Sequence, residues 1–198
     1  MKAVLLIALV WFSVPLTGSR QAPDSRPVIL AFGDSMTAGF GVPEEASYPA
    51  QLQKALDERG YNYRVVNMGV TGDTSRGGVS RMSRALGTNP VMVILELGSN
   101  DRGNGIPPQQ TQDYLEQMIA RFQRTRIEVV LAGRSIAGGE DVYESLARKY
   151  HLTLIPSFLA GVSGHSELTI ADGTHPNADG YAIVVKTVLK SIEPLLKK

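Results

Sequence analysis

The stretch Ile29-Leu30-Ala31-Phe32-Gly33-Asp34-Ser35-Met36-Thr37-Ala38-Gly39 decides the fold, and the rest of the chain is read outward from it. The apolar run from Val28 to Phe32 lacks polar alternation, which marks a strand covered on both faces. Gly33 then breaks the run with a residue that tolerates tight backbone geometry. Ser35 is thereby set at the carboxyl end of a buried strand. In an open α/β sheet the ligand crevice lies outside that end, so the hydroxyl can meet a substrate while its N–H sits near a helix start. An Asp followed by Ser after a strand is also an ordinary turn and helix cap, and this stretch alone does not separate the two readings.

Three further blocks bear on the choice. They are Asn67-Met68-Gly69-Val70-Thr71-Gly72-Asp73-Thr74-Ser75, Leu97-Gly98-Ser99-Asn100-Asp101 and Asp172-Gly173-Thr174-His175-Pro176. Each follows or adjoins an expected strand end, so one parallel sheet would bring all four to a single rim. Between them strand and helix alternate. Strands are expected at Tyr63 to Asn67, Val91 to Leu97, Ile127 to Ala132 and Leu152 to Ile155. Helices are expected from Ser47 to Gly60, Asp73 to Leu86, Gln109 to Arg124, Asp141 to Tyr150 and Asn177 to Leu196. The last carries Tyr181, Val184, Val185, Val188, Ile192 and Leu195 at helical spacing. Five such strands with crossover helices argue an α/β protein, a three-layer α/β/α sandwich around a five-stranded parallel sheet.

The four blocks in this order resemble the SGNH (GDSL-type) hydrolases. Ala171-Asp-Gly-Thr-His-Pro-Asn177 followed by Gly180-Tyr181 is similar to the bacterial thioesterase I, arylesterase and lysophospholipase L1 group. The resemblance spans about Pro27 to Leu196 and implies flavodoxin-like strand order 2-1-3-4-5. It implies a serine hydrolase that cleaves carboxylic esters or thioesters through an acyl-enzyme on Ser35, with Asp172 and His175 completing the triad. The family's oxyanion-hole positions fall on the backbone N–H of Ser35, the backbone N–H of Gly72 and the side-chain amide of Asn100.

The chemistry agrees with the residue types. A serine hydroxyl is a weak nucleophile at neutral pH and needs a base within about 3 Å, itself held in one tautomer by a third group. Asp172 and His175, three residues apart, can present their side chains together. The chain holds three histidines; His151 at a helix-to-strand joint and His165 in a Gly/Ser loop read as surface residues. Asp34 and Asp101 read as cap or loop acceptors, and Asn67 as a loop tie. Glu96, inside an apolar strand, reads as a hydrogen-bonded structural carboxyl. Gly72 is expected to let backbone approach the reacting carbonyl.

Composition bounds the alternatives. With 198 residues, 43% apolar and 20% charged, one well-packed domain is expected. Twenty Lys plus Arg balance 19 Asp plus Glu, so no basic field suggests nucleic acid. The absence of cysteine removes disulfides and thiol nucleophiles. Neither paired histidines nor a Gly-x-Gly-x-x-Gly turn appears, so neither a metal nor a dinucleotide cofactor is implied. The expected partner is a small-molecule ester or thioester, with the protein a monomer. Two other readings stay open: a carbohydrate O-acetylesterase using the same residues, and a flavodoxin-like small-ligand module that would leave Asp172 and His175 idle.

The N-terminus reads as a secretory signal. Met1-Lys2 precedes an uncharged run from Ala3 to Ser19, interrupted by Pro15 and Gly18 and followed by polar residues. The run falls short of the roughly 20 apolar residues of a spanning helix. Residues 1–19 are therefore expected to be a signal peptide, 20–26 a linker and 27–198 the hydrolase domain, in the periplasm or secreted and without stable membrane insertion after processing. An uncleaved membrane anchor is the alternative. Relatives of this group carry a proline-rich segment after the fourth strand, where this chain reads Gly133-Arg134-Ser135-Ile136-Ala137-Gly138-Gly139. A shorter, glycine-rich wall there predicts a preference for short acyl chains.

Overall fold

The computed structural model describes residues 24–133 and 142–198. The signal-peptide reading of residues 1–19, most of the expected linker, and the glycine-rich segment beyond Gly133 lie outside these residues.

Five strands form one parallel sheet: β1 (Val28–Gly33), β2 (Arg64–Asn67), β3 (Pro90–Glu96), β4 (Glu128–Ala132) and β5 (Thr153–Ile155). Their spatial order is β2-β1-β3-β4-β5, the order the resemblance implies. The order reverses at β1, which pairs with β2 on one side and β3 on the other. A topological switch point therefore lies at the end of the strand that carries Ser35, where such sheets open a crevice.

Side chains alternate across β1 and divide the core in two. Ile29 and Ala31 face a cluster with Leu52, Leu56, Tyr181, Val184 and Val188, supplied by helices α2 (Tyr48–Glu58) and α6 (Ala178–Ile192). Leu30 and Phe32 face a second cluster with Met82, Leu115, Phe122 and Leu146, from α3 (Ser75–Gly87), α4 (Pro108–Arg124) and α5 (Val142–Tyr150). Both faces are covered, which explains why β1 reads as an unbroken apolar run with every residue buried.

The element bounds follow local chemistry. Thr74 caps α3 by accepting from the Gly77 N–H, and Asn177 caps α6 by accepting from the Gly180 N–H. Pro108 opens α4, where a missing N–H costs nothing. A four-residue helix, α1 (Ser35–Ala38), directly follows β1; its Asp34 cap accepts from the Met36 N–H at 3.0 Å. Ser35 is therefore the first residue of a helix rather than a residue in an open loop. Among the described residues no helix is long and apolar enough to cross a membrane.

Candidate active site

Three of the four blocks meet on the nucleophile turn. Gly33 pairs in register with Glu96, so the ends of β1 and β3 lie side by side. The backbone loop after β2 is pressed against α1: a Cβ on Gly69 would stand 2.1 Å from the Ala38 backbone nitrogen. Only glycine permits that approach. Arg81 on α3 clamps the two loops. Its guanidinium donates to the carbonyls of Met68 at 2.7 Å and Gly33 at 3.2 Å, pairs with Asp73 at 2.5 Å, and lies over the Phe32 ring.

Asp34, wholly buried, gathers the third block. Its carboxylate accepts from the Asn100 amide at 3.1 Å and from the Ser99 hydroxyl, besides capping α1. Asp101 accepts from the Ser75 N–H at 2.8 Å and from the Ser75 hydroxyl, tying the loop after β3 to the start of α3. Asp34 and Asp101 are thus the structural acceptors expected of them. Asn67 accepts from the Gly69 N–H at 2.9 Å and ties its own loop.

Glu96 sits behind the turn. Its carboxyl accepts from the Thr37 hydroxyl at 2.9 Å and the Asp34 N–H at 3.3 Å. Burial, reinforced by the negative charge of Asp34, pushes its pKa well above the ordinary carboxylate range. Burial likewise raises Tyr48 and Tyr181, with Glu96 adding to the effect. A buried, hydrogen-bonded carboxyl therefore occupies the place the sequence assigned to a structural one.

The fourth block arrives from the opposite edge of the chain. A bridge between Thr169 and Pro176 and a bond from the Ile170 N–H to the His175 carbonyl at 2.9 Å close a short loop. Gly173 takes the left-handed turn with φ +66°. Asp172 then accepts from the backbone N–H groups of Thr174 and His175 at 2.9 and 3.0 Å, and from His175 Nδ1 at 2.6 Å. Those backbone donors, followed by the imidazole, lower the Asp172 pKa to about 2. An ionised Asp172 can only accept, so Nδ1 carries the proton and Nε2 is left with its lone pair. The Ser35 hydroxyl, 2.8 Å away, donates to Nε2. The arrangement can polarise Ser35 Oγ and return a proton to a departing group.

The three expected oxyanion donors are placed unequally. No bond within the described residues occupies the backbone N–H of Ser35 or Gly72. Gly72 has φ +77°, and a Cβ added there would meet nothing within 4 Å. Its need for glycine is conformational, rather than the crowding seen at Gly69. The Asn100 amide instead has protein acceptors for both hydrogens, Asp34 at 3.1 Å and the Asp73 carbonyl at 2.8 Å. The other histidines lie apart from this set: His165 pairs with Glu167, and His151 holds a left-handed turn at φ 53°.

A cavity of about 290 Å³ opens beside the nucleophile turn, lined among others by Met36, Glu96, Ser99, Phe158 and Ser163. A wider hollow of about 640 Å³ lies between α3 and α4, against Glu116, Arg121 and Arg124, and contains no residue of the four blocks. The chemistry belongs with the smaller one. Sequence reading missed the Arg81 clamp, because its partners are spread over two loops with no local period. It missed the Phe40 ring beside His175 for the same reason, since the two residues meet only in the folded chain.

Comparison with known proteins identifies the family of the chain. Residues 31–183 match the GDSL-like Lipase/Acylhydrolase family. Esterase TesA of Pseudomonas aeruginosa is 35% identical over 178 residues, covering 85% of this chain and 89% of the relative. Thioesterase 1/protease 1/lysophospholipase L1 of Escherichia coli is 30% identical, covering 93% and 91%. A crystal structure of TesA superposes with a TM-score of 0.80, covering 85% of this chain and 99% of that one. AlinE4, an SGNH-hydrolase family esterase, is 34% identical with a TM-score of 0.69, covering 87% and 98%.

Proposed function

Because this chain belongs to the GDSL-like lipase/acylhydrolase family and is an ester hydrolase, we propose that it works through an acyl-enzyme on Ser35 with Asp172 and His175 as its triad partners. The observation that carries this reading is the continuous pair of bonds from Ser35 through His175 to Asp172, at 2.8 and 2.6 Å. His175 Nε2 takes the serine proton as Oγ attacks the carbonyl, and Asp172 stabilises the imidazolium that forms. The same Nε2–H then protonates the leaving oxygen or sulfur. Water attacks the acyl-enzyme with His175 again as base.

The free N–H groups of Ser35 and Gly72 supply the oxyanion donors. Asn100 joins them by redirecting the hydrogen it now gives to Asp34, the longer of its two bonds. Ser35→Ala should abolish hydrolysis with the fold intact, and a fluorophosphonate should label Ser35 alone. Labelling elsewhere, or full activity in the variant, overturns the assignment.

Oxyesters and thioesters of short acids, acetyl to hexanoyl, are the proposed substrates. The cavity lining mixes apolar side chains with the Glu96 carboxyl and the hydroxyls of Ser99, Ser157 and Ser163. A long alkyl chain there would strip water from the Ser157 and Ser163 hydroxyls. Comparing kcat/KM for p-nitrophenyl esters from acetate to palmitate tests this; a steady rise to laurate or beyond overturns it. Export with cleavage of residues 1–19 is proposed from their sequence, and the cleavage is rejected if protein from a periplasmic or secreted fraction retains them by intact mass.

A further inference from the structure

Phe40 is an exposed aromatic ring set against the catalytic base. It is 44% exposed, and its ring centroid lies 4.8 Å from that of His175 at a tilt of 52°. Among the described residues the other large apolar side chains left in solvent are Val70 and Val91, neither aromatic. Val91 belongs to the opening of β3, at the rim away from Ser35. The ring packs against His175 on one side and leaves nearly half its surface in solvent beside the reacting groups, so a bound group that covers it gains apolar burial.

The backbone that presents Phe40 is built to keep it in place. Gly39 and Gly41, on either side, have φ +81° and +82°. A Cβ on Gly39 would stand 2.5 Å from Ser47 Cβ, and one on Gly41 2.4 Å from Ile170 Cδ1. The Phe40 N–H donates to the Ser35 carbonyl at 3.1 Å. Ile170 in turn bonds the His175 carbonyl through its own N–H. The ring is therefore referenced to the nucleophile helix on one side and to the base loop on the other. Such a double tie fixes a side chain relative to both reacting residues.

Geometry selects which half of a substrate meets the ring. In the proposed mechanism His175 Nε2 gives its proton to the departing oxygen, so the alcohol portion of the ester must lie beside the imidazole when the bond breaks. Phe40 stands against that imidazole. The acyl portion has the separate cavity bounded by Met36, Ser99 and Phe158. We propose that Phe40 is a specificity-determining platform for the leaving group, favouring esters whose alcohol carries an aromatic ring able to lie against its exposed face. Aromatic pairs prefer offset or edge-to-face contact at centroid separations of about 4.5–7 Å, which an exposed ring on a fixed turn can provide.

This inference rests on the acyl-enzyme reading, and the test separates the two. Benzyl acetate and ethyl acetate share an acyl group and have alcohols of similar acidity, so their kcat/KM ratio reports recognition of the leaving group. Phe40→Ala should lower the benzyl-to-ethyl ratio about tenfold, the size of one aromatic pair. Phe40→Leu, which keeps the apolar bulk and guards against misfolding of the alanine variant, should lower it by a smaller factor. Phe40→Tyr and Phe40→Trp should retain it. Benzyl alcohol should inhibit the wild-type enzyme competitively and the alanine variant more weakly. An equal fall on both esters would make Phe40 a support for His175 and overturn the proposal, as would an unchanged ratio. Persistence of both activities in Ser35→Ala would instead strike the nucleophile assignment.

Discussion

Ser35 and His175 meet at 2.8 Å, yet the two regions that deliver them are built differently. The nucleophile turn is interior: Asp34 and Thr37 are fully buried, Gly33 and Gly69 are crowded by neighbouring atoms, and Arg81, Glu96 and Asn100 converge on it. The base stands on a surface loop, with the Asp172 side chain 37% exposed and Gly173 facing open space. One region is set by long-range packing and the other by bonds among near neighbours in sequence. Rigidity is thus concentrated on the group that must not move, while the base is oriented by its own loop. Substitutions should divide accordingly, some striking rate alone and others striking stability as well.

The largest effect is expected from His175→Ala, with kcat falling on the order of 10⁴-fold or more because triad members act as a unit. Its melting temperature should stay near that of the wild type. A collapse of thermal stability would place the base loop in the structural half of the molecule and break the contrast.

Asn100→Ala should lower kcat by roughly 100- to 1000-fold with a smaller change in KM, the loss typical of one oxyanion donor. Its amide also serves Asp34 and Asp73, so this residue belongs to both halves. If steady-state kinetics show kcat nearly intact while urea unfolding shows a large loss, the amide never leaves Asp34.

Two glycine substitutions sharpen the comparison further. Gly69→Ala forces a methyl into the Ala38 backbone and should cost about 2–4 kcal/mol in chemical denaturation. Gly173→Ala meets no atom within 4 Å and carries only the strain of its positive φ, about 1–2 kcal/mol. Equal costs would mean that the nucleophile turn can relax.

The effect at Glu96 depends on pH. Its folded pKa is raised above the unfolded value of about 4.5, so the native state holds a proton that the unfolded chain releases as pH rises past 4.5. Stability is lost across that window, at up to about 1.4 kcal/mol per pH unit. Glu96→Gln keeps the acceptor for Thr37 without the ionisation, so the variant should gain on the wild type from pH 5 upward and match it most closely near pH 4. A gap independent of pH would mean that Glu96 is ionised in the fold. Asp172 has the opposite sign: its lowered pKa contributes stability above about pH 4 that is lost as pH falls toward 2.

The strands and the proposed triad were legible for different reasons, while the strand order came only from the family resemblance. Apolar runs without alternation at Val28–Phe32 and Val91–Leu97 report strands covered on both faces, because burial is written into each residue's own chemistry. Ser35, Asp172 and His175 were legible because acyl transfer admits few residue types. Glu96 was noticed as a polar residue in an apolar strand, but nothing local revealed that it faces Thr37 and the Asp34 backbone. Gly72 was read as letting backbone approach the reacting carbonyl; within the protein its positive φ calls for glycine, and the crowding that excludes a side chain was unforeseen at Gly69.

By itself, then, the amino-acid sequence determined the α/β class, the five strands and which residues are proposed as the reacting groups, since period, propensity and side-chain chemistry are properties of short segments. The tertiary structure alone decided what surrounds those groups. Pairing of Gly33 with Glu96, the Arg81 clamp, the double engagement of Asn100 and the seating of Phe40 on His175 join residues far apart in the chain. Their contacts follow from strand register and from the packing of helices onto two sheet faces, and no spacing within a segment encodes them.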